Sequence, residues 1–132
     1  MDLPFMKTDM ENDYNDSIND SESLYSTSYL KTVGNNNPEF IVAMLKAFAQ
    51  SIPAELVKLQ TALDMKDLPQ IKLVVHKIKS SAKTLLIKSL EQDIHFIEKY
   101  PEPELNEQFY VAIDNVRSVL YQVLELVGKE VG

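Results

Sequence analysis

His76 and Lys79 are the residues of this chain whose types and spacing suggest chemistry. They stand in the run Val75-His76-Lys77-Ile78-Lys79-Ser80-Ser81-Ala82. Imidazole titrates near neutral pH, so its uncharged form is available as a nucleophile and can accept a phosphoryl group. A lysine one helical turn further on can pair with the phosphoryl oxygens. The small residues that follow keep the surface low enough for a loop of another protein to approach. The competing reading is a solvated histidine on a lysine-rich helix face, because His-x-x-Lys is weak as a bare pattern. Hydrolytic catalysis is not expected. A histidine base needs a carboxylate to orient it and a pocket around its substrate. No acid lies within one turn of His76 in the sequence, and a small helical bundle offers no obvious cleft. His95 lies beside apolar Ile94 and Ile97 and reads as a histidine at the core margin.

The elements that must position His76 are helices. Asn37-Pro38-Glu39 is a strong helix start, with a capping side chain, a proline suited to the first turn and an acid at the positive end of the dipole. Apolar residues recur at 41, 44, 45, 48, 52, 56, 59 and 63. Their phase passes through Pro53 unbroken, which predicts one long helix over about 38–64, bent at the proline. Asp67-Leu68-Pro69 opens the next helix, whose apolar face is Ile71, Val74, Val75, Ile78, Ala82 and Leu85. His76 falls off that stripe, with Lys72, Leu73, Lys79 and Ser80 as its same-face neighbours and Lys83 two turns on. A third helix carries Leu90, Ile94 and Ile97 and stops before Pro101. The last runs over about 104–128, with Phe109, Ile113, Val116, Leu120, Val123 and Val127 on one stripe and Gly128 as its end.

Nothing alternates with period two, so the fold class expected is all-α, an antiparallel four-helix bundle with a short additional N-terminal helix within 24–33. Residues 1–23 are read as an acidic tail or arm and 24–132 as the bundle domain. Tyr25 and Tyr29 are expected to pack the N-terminal helix over the bundle end. Phe40, Phe48, Phe96 and Phe109 are read as core.

Composition narrows the function classes. The chain has 132 residues, no cysteine and two histidines, which excludes disulfides and thiolate sites and leaves too few ligands for a histidine-rich metal centre. No apolar run approaches the roughly 20 residues of a membrane span, and the first residues lack a secretory pattern. A soluble, cytoplasmic monomer is the expectation. The net charge of −7 is unevenly spread. Residues 1–23 hold seven acids against Lys7, whereas residues 66–88 hold six lysines against Asp67. That basic island has no arginine and no interleaved aromatics, which argues against nucleic acid as the partner.

The segment His76-Lys77-Ile78-Lys79-Ser80-Ser81-Ala82 resembles the signature of histidine-containing phosphotransfer (HPt) domains. In that signature the histidine is followed by any residue, an aliphatic, a lysine and small residues. The resemblance extends over residues from about 25 to 127 in helix order, with Asn37-Pro38-Glu39-Phe40, Ala47-Phe48 and Pro53 similar to the helix before the histidine helix. Asp67 stands where the family tends to place an acid. Ser80 and Leu86 stand where the family most often has glycine. The resemblance implies that His76 carries the phosphoryl group and that Lys79 steadies its oxygens. It implies that Lys72, Leu73, Lys77, Ser80 and Lys83 form the partner-docking face. The implied partners are receiver domains of response regulators and hybrid histidine kinases, which supply magnesium and most of the catalysis. No cofactor or metal of its own is implied, and the chain would be a carrier, not an enzyme. The alternative is a helical-bundle interaction module in which His76 is not phosphorylated.

Overall fold

The computed structural model describes residues 24–101 and 103–131. Residues 1–23, read above as an acidic arm, lie outside them. The helices are α1 (Ser28–Val33), α2 (Pro38–Asp64), α3 (Leu68–Thr84), α4 (Glu91–Lys99) and α5 (Glu107–Val131), with a 3₁₀ turn over Lys88–Leu90 before α4. No strand occurs among the described residues.

Local chemistry sets these boundaries. The Asn37 side chain accepts from the Glu39 N–H at 2.9 Å, Asp67 accepts from Gln70 at 3.2 Å, and Asn106 accepts from Phe109 at 2.9 Å. Each satisfies a first-turn donor that the helix itself cannot. Asp67 is thus the N-cap of the histidine helix. The exits of α2 and α3 share one pattern. The residue after the C-cap turns left-handed (Lys66, φ 54°; Leu86, φ 52°), and the following N–H returns to a carbonyl of the last turn (Asp67 to Ala62, Ile87 to Ala82). This is the Schellman stop, which glycine fits most easily. Leu86, where the family resemblance expects glycine, therefore holds the glycine conformation with a side chain attached. Replacing Leu86 with glycine relieves about 1 kcal/mol of backbone cost but forfeits a half-buried side chain. The unfolding midpoint of Leu86→Gly in urea is expected to change little. Leu86→Val keeps apolar bulk but adds β-branching at positive φ and is expected to lose about 1 kcal/mol or more. Equal midpoints for the two variants would show that the backbone at this exit is unstrained.

The helices pack in a ring. α2 lies on α3 and α5, and α4 lies on α3 and α5, leaving α2/α4 and α3/α5 as the diagonals. The core contains the stripes predicted from periodicity: Leu45, Phe48, Ile52, Leu56 and Leu59 of α2, Ile71, Val74, Val75, Ile78 and Ala82 of α3, and Phe109, Ile113, Val116, Leu120, Val123 and Val127 of α5. The N-terminal segment is fastened across the bundle. The Ser26 N–H donates to the Leu85 carbonyl at 2.8 Å, and the buried Tyr25 hydroxyl donates to Glu130. Burial, reinforced by that carboxylate, pushes the phenol well above its ordinary range.

Several expectations are corrected. Tyr29 is exposed, so only Tyr25 packs inward. Phe96 is exposed at the surface, with its ring 5.9 Å from that of Tyr100, because it lies on the side of α4 opposite Ile94 and Ile97. Phe40 is only partly buried. α5 does not end at Gly128 but continues to Val131. Gly128 has ordinary helical surroundings and nothing within 4 Å of where a Cβ would stand. Finally, α2 is long and apolar enough by length and composition to cross a membrane. That holds for an 18-residue stretch of α2 alone; the whole helix also carries Glu39, Lys46, Glu55, Lys58 and Asp64, so it contains no unbroken apolar run of that length.

Candidate functional site

α3 presents His76 to the outside, with its side chain 67% exposed. The reason is local. Val74, Val75 and Ile78 turn to the core on the 3.6-residue period, and His76 falls between them on the opposite side. Of the residues expected on the docking face, Leu73, Lys77, Ser80 and Lys83 are exposed. Lys72 and Lys79 are only partly so, because both are engaged by α4.

What the sequence did not reveal is the carboxylate. Glu98 of α4 accepts from both catalytic candidates. One oxygen stands 3.0 Å from His76 Nδ1, and the other takes the Lys79 ammonium at 2.9 Å. The absence of an acid within a turn of His76 holds along the chain but not in space, since this partner comes from 22 residues away. Its position could have been counted. His76 lies nine residues before the C-cap Leu85, and Glu98 lies eight after the N-cap Leu90. At 1.5 Å per residue the two stand at about equal height in an antiparallel pair. The count needs the hairpin between the helices to be known, and the 3₁₀ turn hides it.

The Glu98 side chain is 17% exposed. Burial is the largest single influence on its carboxyl and pushes it up. The hydrogen bonds and charges of Lys79 and His76 together outweigh that, and hold it below its ordinary value of 4.5. A carboxyl depressed in the native state stabilises the fold above its unfolded value and loses that contribution as pH falls through the native one. The stability advantage of the wild type over Glu98→Ala is therefore expected in full at neutral pH. It should shrink as acid unfolding is followed downward from pH 4.5. An advantage independent of pH would mean that Glu98 contributes packing alone.

The pair has a definite chemical consequence. An ionised carboxylate only accepts, so Nδ1 must be the protonated nitrogen of a neutral ring. Nε2 then carries the lone pair, and no hydrogen bond to it is made among the described residues. Lys79 has further N–H groups beyond the one directed at Glu98.

A cavity of about 260 Å³ adjoins the pair, between the C-terminal half of α3, the 3₁₀ turn and α4. Its floor is Ala82, Leu86, Ile87, Leu90 and Ile94, and Lys79, Lys83, Glu91, His95 and Glu98 stand around it. This corrects the expectation of no cleft, and also that of His95 at the core margin, for His95 is exposed. No group of three or more histidine, cysteine, aspartate or glutamate side chains that could hold a metal occurs among the described residues.

A family model matches residues 43–125 of the chain, that of the Hpt domain. The chain belongs to the Hpt domain family. The matched span contains α3, α4 and all of His76, Lys79 and Glu98. Hpt domains are helical bundles that serve as phosphocarrier modules in phosphorelays and interact with receiver domains. No curated protein and no solved structure matches the chain.

Proposed function

We propose that this Hpt domain accepts a phosphoryl group on His76 Nε2 from the phosphoaspartate of a receiver domain and passes it to the aspartate of another. The observation that carries this reading is the Glu98 bond, which takes up Nδ1 and leaves Nε2 unpaired on an exposed side chain. Nε2 attacks phosphorus in line, the bond from phosphorus to the aspartyl oxygen breaks, and the aspartate leaves as carboxylate. The ring, still protonated at Nδ1, then carries positive charge, and the Glu98 carboxylate lies against that charge. Return of the phosphoryl group to a second aspartate reverses each bond change. Lys79 would bridge Glu98 and the phosphoryl oxygens. The exposed Leu73, Lys77, Ser80 and Lys83 would meet the partner, which supplies the magnesium and most of the catalysis, in the cytoplasm.

The test is phosphoryl transfer. The protein is mixed with a panel of receiver domains carrying radiolabelled phosphoaspartate, with magnesium, and the label it acquires is challenged with acid and base. Acid-labile, base-stable label is expected. If no receiver donates label, the carrier reading fails and the non-phosphorylated interaction module takes its place.

A further inference from the structure

A second α3-to-α4 contact lies one turn before His76. The Lys72 ammonium donates to the Tyr100 carbonyl at 2.6 Å. Tyr100 is the C-cap of α4, two residues beyond Glu98. The last carbonyls of a helix have no partner within it, and a cation placed there also meets the negative end of the dipole. Tyr100 is itself pinned from the other side. It is 4% exposed, its hydroxyl donates to the Glu104 carbonyl at 2.7 Å and accepts from the Asn106 N–H at 3.0 Å, and its ring stands 4.7 Å from that of Phe109. The end of α4 is thus fixed to α5 through Tyr100 and to α3 through Lys72. Glu98 sits in the turn between that anchor and the helix body.

We propose that Lys72 is a positioning residue, which by holding the end of α4 keeps Glu98 level with His76 and so sets the tautomer of the imidazole. This rests on the reading of His76 as the phosphoryl acceptor, and it gives Lys72 a role other than contact with the partner. The two roles predict different things. A partner contact acts only when the partner is present, whereas a clamp changes the imidazole in the free protein.

The experiment uses the full chain labelled with ¹⁵N-histidine. Lys72→Met keeps the apolar stem and a good helix former but removes the donor. Its His76 ring nitrogens are expected to shift from the wild-type Nδ1–H pattern toward that of Glu98→Ala, with phosphoryl uptake about tenfold slower. Lys72→Arg keeps a charged donor for the carbonyl and is expected to restore both. Wild-type ring signals in Lys72→Met would overturn the proposal, whether or not uptake slows. Slow uptake with unchanged signals would place Lys72 on the docking face instead. If the wild type accepts no phosphoryl group, the acceptor reading fails by itself, and the ring signals still decide the clamp.

Discussion

Replacing His76 with glutamine is expected to reduce phosphoryl uptake to background, a loss of at least about a thousandfold, because an amide has no nucleophilic nitrogen to replace the imidazole. The fold should be nearly untouched. The His76 side chain is 67% exposed, contributes nothing to the buried core, and glutamine suits a helix interior. What is lost is one hydrogen bond from an exposed ring to Glu98, so the stability change should stay within about 1 kcal/mol. The check is paired: label transfer from a phosphorylated receiver, and thermal unfolding by circular dichroism. Label retained at the wild-type level would place the acceptor elsewhere. A collapsed unfolding transition would show that His76 is a structural residue, contrary to its exposure.

At Glu98 the conservative substitution is expected to be the more harmful one. In Glu98→Gln the amide oxygen is drawn to the Lys79 ammonium, which can only donate. The amide NH₂ then faces His76 Nδ1, and two donors cannot share one bond, so Nδ1 must accept. The proton moves to Nε2, and the nitrogen that should attack phosphorus is blocked. The same reversal of tautomer by an acid-to-amide change is very costly in serine proteases. A loss of about a hundredfold in uptake rate is expected here, since the partner supplies much of the catalysis. In Glu98→Ala neither tautomer is enforced, so part of the population stays competent and the loss should be nearer tenfold. Uptake rates for both variants under one set of conditions decide the matter. Equal losses, or a greater loss with alanine, would mean that Glu98 acts through charge and packing, not through the tautomer.

Much of the fold was legible because helix formation is governed locally. The caps at Asn37 and Asp67 and the 3.6-residue spacing of Ile71, Val74, Val75, Ile78 and Ala82 lie within a few residues of what they determine. They give the boundaries of α2, the buried face of α3 and the outward direction of His76. Failures came where a residue's fate depends on a neighbour distant in the chain. Phe96 reads as core by type, but α4 is short and its buried stripe is filled by Ile94 and Ile97. Gly128 reads as a stop, yet a glycine stops a helix only when the backbone turns left-handed, and here the chain continues to Val131.

The site divides the same way. By itself the sequence determined that His76 and Lys79 share an exposed helix face within a basic stretch, and that their helix belongs to a bundle. Only the tertiary structure decided that Lys72 and Lys79 are held by α4, one on the Tyr100 carbonyl and one on Glu98, and that a carboxylate orients the imidazole. The physical reason is reach. Side chains meet along a helix only at three or four residues' separation. Between helices they meet by height and rotation, and these are set by the length and twist of the turn that joins α3 to α4.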